Sequence, residues 1–426
     1  MTIRYFFKVT PIAWVLLGFS FSYFLFFVYP VLFSSQTMQF FQVVPAIDPI
    51  GVDLKQMLSY SESWFFNKQT PYIGFNLYPP LASVLFTPLI FVKFFWAYKI
   101  ITFINVFCYV MSTFIFPLRV EKEKHATGLL VLIFITGLLS YGFQFELERG
   151  QFNIIASFLC FLAIWIFHFH NKYRLLAYIL FALSVQLKIF PFIFIVMFIN
   201  NWQDWKSNIK RILILALVNF LLLFIMGPTV FIDFIEAILA QTVYPAIWQG
   251  NHSIRSFVAF FSTSTGNQGW LWGNQYDKTA QFLLLAGTLI CILIIIFQAY
   301  RQNEQGVNPL LLLACTIGAL VIPSVSHDYK LSILAAPVAL LFSSGRFFGN
   351  VNSSRIRLTL IGLLLIFSAS YSSTLYSFTN KPFILSNNLP ALIIMLLVVT
   401  ILSIVTKGNI IKPIETSESQ CKSNIA

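Results

Sequence analysis

The sequence predicts an all-α polytopic membrane protein, and two observations carry that prediction. Of the 426 residues, 58% are hydrophobic and only 10% are charged. Soluble domains contain about 25% charged residues, so the composition excludes an ordinary soluble protein. Several apolar stretches also reach the roughly 20 residues that a helix needs to cross a bilayer.

Apolar segments follow one another along nearly the whole chain. The first is too long for a signal-peptide core and has no small-residue cleavage site after it, so we expect a retained anchor. The segments lie at about 11–33, 78–95, 97–116, 126–143, 152–169, 174–188, 190–200, 211–228, 280–299, 309–324, 329–344, 358–377 and 390–406.

Basic residues between these segments predict the orientation of the chain. The clearest basic loops are 119–124, 172–174, 206–211 and 346–357, and both ends of the chain are basic. All can lie in the cytoplasm together, as the excess of lysine and arginine in cytoplasmic loops requires. This orientation requires segment 78–95 to be a re-entrant or interfacial helix that does not cross the membrane. It also requires the helix around residues 188–191 to be broken. About 12 transmembrane helices then result. A conventional crossing at 78–95 is the alternative.

The sequence predicts a single transmembrane domain over 1–410 and a disordered cytoplasmic tail over 411–426. Two outer loops, about 34–77 and 229–279, are long, and the first contains an amphipathic stretch from Leu54 to Phe66 suited to the membrane interface. The net charge of +12 lies in short loops, which indicates contact with anionic lipid headgroups and not with nucleic acid. The five cysteines show neither a disulfide framework nor a zinc spacing.

Polar clusters in this topology gather on the extracytoplasmic side. A carboxylate there can act as a general base, and lysine or arginine at the membrane boundary can hold a phosphate. Charges near the hydrocarbon are costly, which makes them candidates for function. The clusters are Asp48 and Asp53, Glu146 to Asn153, Lys188, Asn251 to Ser256, and Ser324 to Lys330.

Each candidate also has a structural interpretation. Asp53 stands where a helix cap is common, and Lys188 could snorkel to the interface, although Pro191 nearby favours a functional broken helix. Gln151 and Asn153 could be hydrogen-bonding contacts between helices. His327 could form an ordinary loop pair with Asp328.

Taken together, these motifs resemble glycosyltransferase family 87, membrane transferases of the GT-C fold that use polyprenyl-phosphate sugars. The resemblance covers about residues 48 to 330 in the order of the family. It depends on the acidic first loop followed by Pro71-Tyr72 and Tyr78-Pro79-Pro80, then Gly150 to Asn153, Lys188 to Pro191, Asn251-His252-Ser253 with Arg255, and Ser326 to Tyr329.

The resemblance implies an inverting enzyme that transfers a hexose, typically mannose, to a hydroxyl of an extracytoplasmic acceptor. The catalytic residues implied are an aspartate base, Asp53 or Asp48, with His327 near the donor or acceptor. The substrate-binding residues implied are Lys188 and Arg255 at the donor phosphate, with Gln151, Asn153, Arg149, His252 and Tyr78 around the site. The protein would be integral to the plasma (inner) membrane, with its active site on the extracytoplasmic face.

Several questions stay open at the level of sequence. Asp48 lies close to Asp53, so the base is either of the two. No cofactor is implied with certainty and no dedicated metal ligands are evident, but some GT-C relatives use a divalent cation. The acceptor is a glycolipid, a polysaccharide or a protein. A transporter or flippase of lipid-linked sugars is the main alternative, but it usually has repeat symmetry and a midplane site. A surface-polysaccharide polymerase or ligase is the other, although the outer loops contain little arginine.

Overall fold

The computed structural model describes residues 50–72, 74, 76–120, 127–243, 247, 250–264, 274–303, 306–344, 359–360, 362–364, 366–367 and 387–406. Across these residues the secondary structure is helical and no strand forms, which confirms the all-α prediction. The predicted anchor at 11–33, Asp48 and the tail 411–426 lie outside the described residues.

The first half of the described chain consists of helices that range in length from the 9 residues of α5 to the 27 residues of α3. They are α1 (Val52–Phe65), α2 (Pro80–Ile90), α3 (Phe94–Val120, with a π-helical turn at Met111–Ile115), α4 (Thr127–Leu138), α5 (Tyr141–Arg149), α6 (Asn153–Phe169) and α7 (Arg174–Leu187). Helix α1 coincides with the predicted amphipathic stretch from Leu54 to Phe66.

The second half contains the longest helix and two 3₁₀ segments. In order these are a 3₁₀ segment (Phe190–Met197), α8 (Trp205–Leu222), α9 (Pro228–Val243), α10 (Ile254–Ser264), α11 (Asn274–Arg301), α12 (Pro309–Val321), a 3₁₀ segment (Asp328–Leu334), α13 (Ala335–Ser343) and α14 (Leu389–Val405). The predicted outer loop 229–279 therefore contains α9, α10 and the start of α11.

Few of the described helices are long enough to cross a bilayer alone. Helix α3 and residues Lys278–Arg301 of α11 qualify by length and composition, and α4 with α5, bent by 47°, would together make a third. The count of about twelve crossings therefore stays a prediction. Helix α2 has 11 residues and rises about 16 Å, roughly half the hydrocarbon thickness. Its length favours the re-entrant or interfacial placement predicted for 78–95.

The outer surfaces of these helices are apolar. On α8, for example, Leu213, Leu217 and Leu221 recur every four residues and are all exposed. Helix residues at this spacing share one face, and a continuous exposed apolar face indicates contact with membrane or protein. Together with the apolar helices, this surface identifies an all-α membrane protein.

Helix α12 forms the centre of the described packing. All of its residues from Pro309 to Val321 are buried, as expected for a helix that is apolar on every side. It packs against α11, α13, α14 and the 3₁₀ segment Phe190–Met197. The end of α12 therefore lies beside the chain break that follows α7.

The predicted break around Lys188–Pro191 is confirmed. Helix α7 ends at Leu187, and Lys188 is extended (φ −149°, ψ 136°). Pro191 then lies in the first turn of the 3₁₀ segment. Proline lacks the N–H that would continue the helix and disfavours helical geometry at the residue before it. Lys188 consequently leaves the helix axis at the level of the polar residues described below.

Candidate functional site

One cavity of about 1370 Å³ lies among α1, the break after α7, α10, α11 and the end of α12. Seven of the ten residues predicted for the site line it, although they come from distant parts of the sequence. They are Asp53, Tyr78, Arg149, Gln151, Lys188, Arg255 and His327.

Asp53 lies in the first turn of α1, and each of its two carboxylate oxygens accepts one hydrogen bond. Arg149 Nη2 donates to Oδ1 at 2.6 Å, and Gln151 Nε2 donates to Oδ2 at 2.5 Å. The residue at the cap position is Gly51, and no side chain caps the helix. The helix-cap interpretation of Asp53 is therefore wrong. The Asp53 side chain instead lines the cavity.

Gln151 is the central hydrogen-bonding residue of the cavity. Its Nε2 contacts Asp53 and also donates to the hydroxyl of Tyr78 at 3.3 Å. Its Oε1 accepts from Lys188 Nζ at 2.7 Å, and its backbone carbonyl accepts from Asn105 Nδ2 at 2.6 Å. The side-chain amide thus joins a carboxylate to an ammonium group.

Lys188 is held in a partly aromatic environment. Its Nζ lies 4.3 Å from the ring centroid of Tyr78 and 4.5 Å from that of Phe152. Aromatic faces attract a cation without neutralising it. The side chain extends toward Gln151 and the cavity, which does not fit the snorkelling interpretation.

The turn between α5 and α6 presents Arg149 and Gln151 to the cavity. Gly150 has a positive φ of 66°, and the N–H of Gln151 donates to the carbonyl of Glu146 at 2.9 Å. A glycine in this conformation is the usual residue just after a helix end. The turn also packs closely on α1, since a Cβ built on Gly150 would lie 2.8 Å from the Cβ of Leu54.

Replacing Gly150 by Ala should therefore destabilise the folded protein. The left-handed backbone alone costs a residue with a Cβ about 1–2 kcal/mol, and the contact with Leu54 adds to that cost. The midpoint of thermal unfolding in detergent should fall. Gly287→Ala is the matched control, because a Cβ added to Gly287 would meet nothing within 4 Å and this glycine has no positive φ. An equal shift for both variants would contradict this account of the turn.

Asn153, predicted to bind substrate, does not line the cavity. It is fully buried and donates to Glu146 Oε2 at 2.9 Å, while the N–H of Ile154 donates to Oε1 at 3.1 Å. The Glu146 side chain thereby satisfies an N–H that the first turn of α6 leaves unpaired. Asn153 and Glu146 support the turn from behind, and direct contact of Asn153 with substrate is not part of this arrangement.

His252, also predicted to bind substrate, is fully buried away from the cavity. Its Nδ1 accepts from the N–H of Asn388 at 3.1 Å, which places the ring hydrogen on Nε2, 2.6 Å from Asp328 Oδ1. His252 therefore does not line the cavity, and its predicted contact with substrate is not part of this arrangement. Asp328 pairs with His252, which argues against the loop pair between His327 and Asp328.

His327 faces the cavity from the loop between α12 and the second 3₁₀ segment. Burial lowers its pKa to about 3, and the nearby Lys330 contributes to the shift. The imidazole is therefore neutral at pH 7. It can donate or accept a hydrogen bond, but it adds no positive charge to the cavity.

Lys330 belongs to the predicted polar cluster Ser324 to Lys330, but it is not among the residues predicted to bind substrate. It is buried, lines the cavity, and its Nζ donates to the carbonyl of Val325 at 2.7 Å. A lysine at the start of an apolar segment is the signal that identifies it. Tyr329 and Lys278 also line the cavity.

One side of the cavity is lined by apolar side chains. Phe192, Phe282 and Leu289 line this side, and all three side chains are exposed. A long apolar chain could therefore extend from the cavity into the bilayer. Among the described residues, no group of three His, Cys, Asp or Glu side chains could hold a metal ion.

The fold and the cavity define an integral-membrane protein that places a carboxylate, several basic side chains and apolar side chains around one cavity. Residues 76–326, more than half of the chain, match the family model described as glycosyltransferase family 87. The chain belongs to glycosyltransferase family 87, which confirms the resemblance drawn from its motifs, and it is a membrane glycosyltransferase. No curated protein matches the chain. Asp53 and His327 lie outside the matched range.

Proposed function

We propose that the protein transfers a hexose, typically mannose in this family, from a polyprenyl-phosphate donor to a hydroxyl of an extracytoplasmic acceptor, with inversion. The observation that carries this proposal is the cavity itself. It brings Asp53 and Lys188 to the two ends of one amide, and one side of it is lined by exposed apolar side chains.

The donor has an apolar part and a charged part, and each matches one side of the cavity. The polyprenyl chain would leave past Phe192 and Phe282 into the bilayer, and the phosphate would stay at the polar end near Lys188 and Arg255. The phosphate gains negative charge as the sugar departs. Cations already held in place stabilise that charge without reorganisation.

Asp53 is the base in this proposal. One carboxylate oxygen takes the proton of the acceptor hydroxyl while the hydroxyl oxygen attacks the anomeric carbon. The bond from that carbon to the phosphate oxygen breaks, and polyprenyl phosphate leaves with the bonding electron pair. A single displacement of this kind inverts the configuration at the anomeric carbon. Asp48 remains the alternative base.

The placement of the site follows from loop charge. Basic loops favour cytoplasmic ends for the segments on either side, which supports a cavity on the extracytoplasmic face of the membrane, and we propose the plasma (inner) membrane as its location. The sugar then arrives already attached to its lipid. A glycolipid, a polysaccharide or a protein could present the acceptor hydroxyl.

The decisive experiment is sugar transfer by the purified protein in proteoliposomes with radiolabelled polyprenyl-phosphate mannose and a glycolipid extract. Label should move from the donor to a new product. If donor crosses the bilayer without being consumed, a transporter or flippase replaces the transferase. If the product grows by repeated units, a surface-polysaccharide polymerase replaces it. Repeating the assay with polysaccharide and protein acceptors identifies the acceptor class.

A further inference from the structure

The amide of Gln151 separates the two charged groups on which the proposed reaction depends. Its N–H₂ end faces the Asp53 carboxylate at 2.5 Å, and its carbonyl end faces the Lys188 ammonium at 2.7 Å. A carboxylate only accepts hydrogen bonds and an ammonium group only donates them. An amide presents both functions in one rigid plane, and it can therefore satisfy both neighbours without carrying charge.

Lys188 has no carboxylate partner in the part of the chain that the structure describes. The ion pairs found there join Arg149 to Asp53 and His252 to Asp328. Lys188 is instead surrounded by Gln151, Tyr78 and Phe152. No acid of the described chain is therefore among the direct contacts of the Lys188 side chain at the cavity wall.

The position of Gln151 is fixed independently of its side chain. Its N–H donates to the carbonyl of Glu146, its carbonyl accepts from Asn105, and the preceding Gly150 is confined by Leu54. A shift of the backbone therefore cannot replace the amide if the side chain is changed. The side chain alone decides what lies between Asp53 and Lys188.

We propose that Gln151 is a positioning residue that holds the base and the donor-phosphate lysine apart, so that each stays available to its own substrate. This inference rests on the proposed function. Without the amide, we expect Asp53 and Lys188 to approach each other and form a direct ion pair. The lysine is then lost to the donor phosphate, and the carboxylate is less available to the acceptor hydroxyl.

The test measures equilibrium binding of radiolabelled polyprenyl-phosphate mannose to the purified protein in lipid nanodiscs. Gln151→Met keeps the length of the side chain and removes the amide, and it should weaken binding about tenfold, the loss expected when a phosphate loses a charged hydrogen-bond donor. Adding Asp53→Asn to this variant should restore binding to within about twofold of Asp53→Asn alone, because Lys188 has no acid left to pair with. Transfer should stay absent in the double variant.

Restoration of binding is the readout that a merely structural role would not give. If Gln151→Met binds donor like the wild type, or if Asp53→Asn fails to restore binding, the spacer role is wrong. Gln144→Met is the matched control: this glutamine bonds to the carbonyl of Leu138 and lies outside the cavity lining, so donor binding should not change. Wild-type protein that neither binds nor transfers the donor would instead overturn the proposed function, and this inference with it.

Discussion

Replacing Asp53 by Asn should abolish sugar transfer while the protein stays folded. A positioned general base typically contributes 10²- to 10⁴-fold to a rate, so we expect kcat to fall by about 10³-fold. The asparagine introduced there can still accept a hydrogen bond from Arg149, and the local structure should persist. Initial rates in proteoliposomes and the thermal unfolding midpoint together check both parts of this expectation.

Two further variants are needed to interpret the result for Asp53→Asn. Glu62→Gln removes an exposed acid from the same helix outside the cavity lining, and it should leave the rate unchanged. Asp48→Asn tests the alternative base directly. Near-normal turnover by Asp53→Asn, with loss of turnover in Asp48→Asn, would assign the base to Asp48.

Replacing Lys188 by Met should lower kcat/KM for the donor by about 100-fold, the loss typical for one preorganised transition-state contact. The methionine keeps the apolar packing against Tyr78 and Phe152. Because phosphate charge increases in the transition state, kcat should fall in addition to any rise in KM. Initial rates at varied donor concentration separate the two effects.

The control for Lys188 is a lysine of the same chemistry on the outer surface. Lys206 is exposed at the start of α8, and Lys206→Met should leave donor kinetics intact. Unchanged donor kinetics in Lys188→Met would leave the lysine with a structural role only. In that case Arg255 and Lys330 become the groups to test for the donor phosphate.

Local sequence signals predicted several features of the fold correctly. Pro191 predicted the break after α7, and the spacing of apolar residues predicted α1. The same signals brought Asp53, Lys188 and His327 into consideration, because a charged or ionisable residue beside an apolar segment is costly enough to stand out. Seven of the predicted residues then came together around one cavity.

Long-range packing determined the side-chain contacts that local sequence signals could not predict. Asn153 and His252 have the same polar character as the cavity residues, but their partners, Glu146 and Asp328, turn them away from it. The cap interpretation of Asp53 depended only on its neighbours in sequence. Its actual partner, Arg149, follows 96 residues later, and no local pattern predicts that pairing.

The apolar side of the cavity determines how the concentration of a lipid donor should be expressed for this protein. In the proposed function the donor is a lipid that enters past Phe192 and Phe282, and it would therefore arrive by diffusion in the plane of the bilayer. Its encounter rate then depends on the fraction of lipid molecules that are donor, and adding inert lipid slows the reaction even when the amount of donor per volume is constant. The natural unit of KM for the donor is therefore a mole fraction of the membrane.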